Sequence, residues 1–347
     1  MNARSPSVAV VMVNYRTPAL ALETLAALEA ERARVPGLRA VVVDGGSGDG
    51  SAAALAKGLS DPRFAGWASL LALPINGGFG WANNQAMQRL LQGEDPPDYI
   101  HLLNPDTVIE PGAVARLAAV LDAHPRCAAV GSQLLEPDGS PAGSAFAFFT
   151  ARTELHRGAQ LSLVSRLLGI PPFREAAPAG TFDWVTGASV MLRSTALREA
   201  GLFDTGFFLY FEEVELMWRL TRAGWTIRHE PASRVRHIGG AATGVNASRP
   251  TSERPARPRY WYESRRRMFA LTRSRPAIAS LAWLAGHALF VARRALGGAR
   301  KHARVEREAR ALIACGLGAT ARDRAPQIAR WNDPPDIPPA WMADRTG

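Results

Sequence analysis

His101-Leu102-Leu103-Asn104-Pro105-Asp106-Thr107 is an apolar run that stops abruptly at a carboxylate set among turn-forming residues. Tyr99 to Leu103 reads as a buried strand, which places Asp106 just beyond its carboxyl end. In an open α/β sheet that edge is where ligands bind, because loops and helix amino termini converge there. A carboxylate in that position can hold a divalent cation on a phosphorylated substrate. It can equally turn the chain and cap a helix that starts near Pro111, so the neighbouring segments must discriminate.

Those segments alternate strand and helix. Val8 to Val13 is a continuous β-branched and apolar run ending at Asn14-Tyr15, and Thr17-Pro18 then opens a helix with Leu20, Leu22, Leu25 and Leu28 along it. Ala40 to Val43 is a second strand that closes on Asp44, with a glycine-rich turn and a helix from Ser51 to Leu59 behind it. Leu70 to Leu73 is a third, followed by Asn76, a glycine-rich loop and a helix through Leu91. Pro111 to Ala123 and Ala128 to Leu135 add another helix and strand. This alternation predicts an α/β fold with a doubly wound, mostly parallel sheet of Rossmann-like type. Asn14, Asp44, Asn76 and Asp106 then stand at one sheet edge and outline one cleft.

Further along, periodicity degrades between Ser140 and Thr181, which predicts a loop-rich insertion able to cover a site. Phe182 to Leu192 is strand-like around Gly187, Glu212 to Ala223 is a helix with Glu212, Glu213 and Glu215 in its first turn, and Trp225 to Glu230 is a short strand. Acids in a first turn have a structural explanation in the helix dipole. Arg234 to Gly244 is expected as a loop carrying His237.

The chain has 347 residues and a net charge of +10, but the charge is segregated. Residues 1–248 hold 21 Lys and Arg against 23 Asp and Glu, whereas residues 249–347 hold 20 against 8. A basic carboxyl-terminal region of this kind meets a polyanion, and the apolar stretch Ala277 to Ala292 inside it favours an anionic membrane surface over nucleic acid. At sixteen residues it is short for a spanning helix, which needs about 20. Two cysteines exclude a disulfide framework, and Met1 to Ser7 lacks the apolar run of a signal peptide; both point to the cytoplasm. Glycine is missing after the first strand, at Asn14-Tyr15-Arg16-Thr17, which argues against a dinucleotide-binding oxidoreductase.

Six ordered stretches resemble the motifs of family 2 glycosyltransferases with the GT-A fold, most closely the rhamnosyltransferase branch. They are Val10-Val11-Met12-Val13-Asn14-Tyr15; Val41-Val42-Val43-Asp44 with Gly45 to Ser51; Asn76-Gly77-Gly78-Phe79-Gly80-Trp81-Ala82-Asn83-Asn84; Leu102-Leu103-Asn104-Pro105-Asp106; Trp184-Val185-Thr186-Gly187-Ala188; and Phe203-Asp204 through Glu212-Glu213-Val214-Glu215-Leu216. The resemblance covers roughly residues 8 to 270. It implies a glycosyltransferase domain over 1–258, with a donor half near 8–135 and an acceptor half near 140–258, and a basic helical region over 259–347.

By the same resemblance the enzyme inverts the anomeric centre of a nucleoside diphosphate sugar, with deoxythymidine diphosphate rhamnose as the branch's donor. The transfer goes to a hydroxyl of a lipid-linked or polysaccharide acceptor at the inner membrane face. Asn14, Tyr15, Asp44, Asn76, Gly78, Phe79, Asn83, Asn84, Asn104 and Asp106 would hold the nucleotide sugar. Asp106 and His237 would bind Mg²⁺ or Mn²⁺, although Asn104 replaces the first acid of the family's Asp-X-Asp motif. Glu213 would be the base in place of the usual Asp, with Glu212 as the alternative, and Trp184, Gly187 and Glu215 would meet the acceptor. A catalytically inert module of the same fold is the competing reading, because Asn104 and Glu213 both depart from the common pattern.

Overall fold

In a computed structural model the chain is described over residues 5–170, 174–238, 256–272, 275–297 and 303–343. The first half follows the alternation read above: β1 Val8–Asn14, α1 Pro18–Glu29, β2 Arg39–Asp44, α2 Ser51–Leu59, β3 Ala68–Ala72, α3 Phe79–Gln92, β4 Tyr99–Leu103, β5 Thr107–Ile109, α4 Ala113–Ala123 and β6 Cys127–Leu135. The second half comprises β7 Pro141–Ala142, β8 Ala145–Phe146, α5 Ala151–Ala159, α6 Ser162–Leu167, β9 Gly180–Phe182, β10 Trp184–Val185, β11 Ser189–Arg193, α7 Ser194–Ala200, α8 Glu212–Arg222 and β12 Thr226–His237. Among the described residues five helices follow: α9 Arg259–Leu271, α10 Pro276–Ala295, α11 Ala303–Ala314, α12 Ala321–Arg324 and α13 Ala340–Ala343.

The main sheet runs β3-β2-β1-β4-β11-β6-β12-β5, with β7 added on β6 and β9 on β12. β1 to β4 are parallel to one another where they pair, and β12 runs parallel to β6. β11 is antiparallel to both of its neighbours, β4 and β6. Side chains on successive residues of β1 point to opposite faces. Val8, Val10 and Met12 therefore pack with Leu25, Leu28 and Leu55, while Val11 packs in a second core with Trp81, Met87 and Leu91. Two apolar layers enclosing one sheet explain why β4 and β6 are buried at every position.

Three sequence expectations are corrected. The stretch 140–181, expected as loop-rich, also contains α5 and α6 among its described residues, and α5 packs against α10. The contact is close because Gly158 and Gly286 face it; a Cβ on Gly158 would meet the Trp283 carbonyl at 2.1 Å, and one on Gly286 the Leu155 carbonyl at 2.1 Å. Second, the strand expected over Trp225 to Glu230 continues to His237, so that residue ends a strand; positions 239–244 of the expected loop lie outside the described residues. Third, the apolar stretch of sixteen residues belongs to a twenty-residue helix, α10.

The carboxyl-terminal region is joined to the domain through buried charge as well as apolar contact. Arg265 on α9 pairs with the fully buried Glu154 on α5, which also binds Arg157. Arg267 grips Asp204 through Nε and Nη2 and donates further to the carbonyls of Arg322 and Ala325. Removing one partner of such a pair strands the other charge in the interior. Arg267→Met is expected to cost about 3–5 kcal/mol of stability in urea unfolding, far more than loss of the exposed Arg259–Glu263 pair.

Candidate active site

A cleft of about 520 Å³ opens at the carboxyl ends of β1 and β4 and is lined also by the first turn of α8. Its floor is built by the turn after β4. The Asn104 amide N–H donates to the Ala188 carbonyl, Thr107 Oγ1 to the Asn104 carbonyl, and Thr24 Oγ1 is shared by the carbonyls of Pro105 and Thr107. These bonds fix Asp106, whose residue surface is only 6% exposed, with its carboxylate toward the cleft. β5 then pairs with the end of β12, His237 opposite Thr107, and the Ile238 N–H donates to the Asp106 carbonyl. That pairing brings His237 Nε2 to 3.2 Å from Asp106 Oδ1 and 3.4 Å from Asn104 Nδ2.

One imidazole nitrogen cannot donate to the carboxylate and accept from the amide at once. Rotation of the Asn104 amide, whose oxygen and nitrogen are not distinguished by shape, would turn an oxygen toward the same point. Carboxylate, imidazole and amide oxygen form a donor set that suits a divalent cation, and two ligands about 2.1 Å from an octahedral ion lie about 3 Å apart. Among the described residues no group of three His, Cys, Asp or Glu converges on one point, here or elsewhere. Asp106 and His237 are the two side chains that would hold such a cation.

The first turn of α8 brings two acids to the same cleft, Glu212 and Glu213. Tyr210 and Phe211 both have left-handed backbone, φ 72° and 70°, immediately before Glu212. This costs free energy in residues with a Cβ and is typical of functional turns. The same segment is anchored by Phe208, whose carbonyl accepts from the Phe79 N–H, and by Ser264 Oγ, which donates to the Leu209 carbonyl. Gly78 has to be glycine here: its φ is +88° and a Cβ would lie 2.1 Å from the Phe208 oxygen.

Glu212 and Glu213 each keep one buried carboxylate oxygen without a protein partner. Burial, and then the charge of Glu213, push the Glu212 carboxyl well above the ordinary range. Burial raises Glu213 to about 6, opposed by backbone N–H bonds of the helix start. Both environments favour the protonated carboxyl, that of Glu212 through burial and the charge beside it.

Tyr15, Asn76, Gly78, Phe79, Asn104, Asp106, Gly187, Glu212, Glu213 and His237 all line this cleft. Six other candidates do not. Asn14 is buried and donates to Asp44 Oδ1, while Asp44 is further held by Ser47, so the pair ties two loops together behind the wall. Asn83 donates to the Phe79 carbonyl, and Asn84 clamps the backbone of Phe203 through both its amide atoms. Trp184 stacks on Phe146 with ring centroids 4.4 Å apart and donates to the Ala147 carbonyl. Glu215 is taken up by Arg219, which also binds the carbonyls of Ala200 and Leu202. The sequence reading missed Thr186, Phe208, Tyr210 and Tyr260, which complete the cleft. For Tyr260 a signal existed in the aromatic run Tyr260-Trp261-Tyr262, set apart only because it was assigned to a separate region.

A family model described as glycosyltransferase like family 2 matches residues 6–271, a span that holds every one of these groups. The chain belongs to this family. It is a glycosyltransferase, and Asp106, His237, Glu212, Glu213 and the glycine turn at Gly78 lie in the matched part. An N-acetylglucosaminyl-diphospho-decaprenol L-rhamnosyltransferase of Mycobacterium tuberculosis is 29% identical over 220 residues, covering 59% of this chain and 67% of the relative. A pre-mycofactocin glycosyltransferase of the same organism is 40% identical over 60 residues, 17% of this chain and 13% of that one. Among solved structures, the mannosyltransferase PcManGT of Pyrobaculum calidifontis, in complex with GDP-Man and Mn²⁺, superposes with a TM-score of 0.52 at 16% identity, covering 90% of this chain and 80% of that one. GalNAc-T7 with UDP, GalNAc and Mn²⁺ gives 0.52 at 12% identity, covering 90% and 56%. At these identities the superpositions establish the GT-A fold.

Proposed function

We propose that this glycosyltransferase moves a rhamnosyl group, with inversion, from deoxythymidine diphosphate rhamnose to a hydroxyl of a sugar carried on a lipid diphosphate. The observation that carries the proposal is that the Asp106–His237 pair and the Glu212–Glu213 pair line one cleft. A nucleotide sugar placed with its diphosphate at Asp106 and His237 directs its anomeric carbon toward Glu213. A divalent cation held there by Asp106, His237 and the Asn104 amide would neutralise charge on the leaving diphosphate. The imidazole ligand tips the choice from Mg²⁺ toward Mn²⁺, because nitrogen is a softer donor than oxygen.

Glu213 is the base in this reading: raised to about 6, it is ionised at neutral pH yet still basic enough to take a hydroxyl proton as the new bond forms. Glu212, whose carboxyl is pushed up by burial and by the charge of Glu213, lies beside it in the cleft. Single displacement by that hydroxyl is what inversion requires. The rhamnosyl donor and lipid-linked acceptor are drawn from the 29% identical relative's name.

Membrane attachment on the cytoplasmic face fits the same substrate. α10 is long and apolar enough to cross a bilayer by length and composition, but Ala279, Trp283, Gly286 and Phe290 are buried in the protein. Spanning would strip that face. Its other side exposes Ile278, Leu281 and Leu289, and α6 exposes Leu163 and Leu167, with Arg166, Arg293 and Arg294 alongside in sequence. An interfacial docking surface with Arg toward anionic headgroups accounts for both the apolar and the basic residues.

The test is transfer to a short-chain polyprenyl-diphosphate N-acetylglucosamine with the rhamnose donor and Mn²⁺. The product should gain one deoxyhexose, with the anomeric configuration opposite to that of the donor. A product of retained configuration would overturn the single-displacement scheme, and transfer only from another sugar nucleotide would overturn the donor assignment.

A further inference from the structure

The family match ends at residue 271, yet the cleft is braced by residues far beyond it. The segment from Gln327 to Trp341 runs back across the domain and binds two of its elements at once. On one side it meets the segment that leads to the catalytic acids: the Gln327 N–H donates to Asp204 Oδ2, the Thr205 N–H to the Gln327 carbonyl, and the Leu202 N–H to the Ala329 carbonyl. On the other it meets α3. Trp81 Nε1 donates to the Ile337 carbonyl, the Asp336 N–H to Gln85 Oε1, Gln88 Nε2 to the Arg330 carbonyl, and Gln92 Nε2 to the carbonyls of Trp331 and Asp333.

Positions 81, 85, 88 and 92 are one stripe of a helix. Three amides in that stripe, two of them nearly fully buried, are used to bind a strap rather than a ligand. Trp341 closes the strap. It is 4% exposed, donates to the Thr205 carbonyl, and sets its ring edge-on to Phe208, centroids 5.6 Å apart at 90°. Phe208 is the residue whose carbonyl receives the Phe79 N–H, so it joins the glycine turn of the cleft to the strained turn before Glu212.

We infer that this carboxyl-terminal strap is a positioning element of the active site, with Trp341 acting through Phe208 to hold the start of α3 and the Tyr210–Glu213 turn in register. Trp341 does not line the cleft, so it is not a catalytic residue. Gln85 and Gln88 fix the strap against α3, and the Arg267–Asp204 pair fixes it to the acid-bearing segment.

The experiment compares the full chain with Trp341→Ala and Trp341→Phe. Hydrogen exchange of peptides covering 76–84 and 203–214 reads the positioning directly, and release of nucleotide from deoxythymidine diphosphate rhamnose reads its consequence. In Trp341→Ala, exchange in those two peptides should rise about tenfold while peptides from β1 and β6 stay protected. Its kcat should fall about ten- to a hundredfold with the donor KM within about twofold, as expected when reacting groups are misplaced rather than substrate lost. Trp341→Phe keeps the ring contact and should recover most of the turnover. Unchanged exchange in both peptides, or faster exchange spread over the whole sheet, would overturn the inference. Only the turnover readout rests on the function proposed above; if the unaltered chain releases no nucleotide, that reading fails while the exchange comparison still decides the strap.

Discussion

Glu213→Gln should lower kcat by about 10²–10⁴-fold while donor affinity stays within about twofold. Glutamine keeps the shape of the side chain and the hydrogen bonds of the helix start but cannot accept the hydroxyl proton. The pH dependence gives an independent reading. Because burial raises Glu213 to about 6, kcat/KM should fall on the acid side with a midpoint near that pH, and the limb should vanish in the variant's residual activity.

The stability effect has the opposite sign to the activity effect. A carboxyl whose folded pKa is raised binds its proton more tightly in the folded chain. Its contribution is therefore fully present below about 4.5 and is lost as pH rises through about 6. At pH 8 the native acid pair is a cost, and Glu213→Gln should raise stability by about 1–2 kcal/mol in urea unfolding. Glu212 is shifted further by burial and by its neighbour, so Glu212→Gln should change turnover less and leave the acid limb in place. If Glu212→Gln abolishes turnover and Glu213→Gln does not, the two roles are exchanged.

Asp106→Ala should remove the dependence of donor binding on a divalent cation and reduce turnover by about 10³-fold or more. Asp106 Oδ1 lies 3.2 Å from His237 Nε2, and Asn104 stands at the first position of the motif. His237→Ala leaves the carboxylate and should weaken cation affinity by about ten- to a hundredfold, with turnover recovered at high Mn²⁺. Calorimetry of deoxythymidine diphosphate binding with Mn²⁺ and with chelator measures both. Cation-dependent binding that persists in Asp106→Ala would move the metal site elsewhere.

Much of the donor side was legible because its elements are local. β1, β2 and β4 are β-branched or apolar runs that end on a polar residue, and each needs only its own residues to be recognised. Asp106, Glu212 and Glu213 stood out as acids at element ends. β11 was not legible as an antiparallel insertion between β4 and β6, because nothing in five residues states which strands they pair with. His237 was misplaced in a loop because β12 contains Pro231 and alternates buried with exposed residues instead of presenting an apolar run.

Asn84 illustrates a different limit. An asparagine beside a glycine-rich loop has the donors and acceptors a sugar would need, but here both are spent on Phe203. Sequence gives the chemistry of such a group and not its partner. The strap is the extreme case: residues 327–341 are rich in proline and polar groups, carry no periodicity, and bind mostly through backbone atoms. What marked it was on the other side, in the stripe of glutamines along α3.

The most direct test of the central claim is nucleotide release from a panel of nucleoside diphosphate sugars, with Mn²⁺ or with chelator, comparing the intact chain with Asp106→Ala and Glu213→Gln and measuring donor binding in the same samples. Release from one donor that requires the cation and Asp106, and is lost in Glu213→Gln while binding remains, is the result expected of a cleft in which Asp106 holds the diphosphate and Glu213 takes the proton. Absence of binding to every donor in the panel would contradict it and leave a GT-A fold without catalysis.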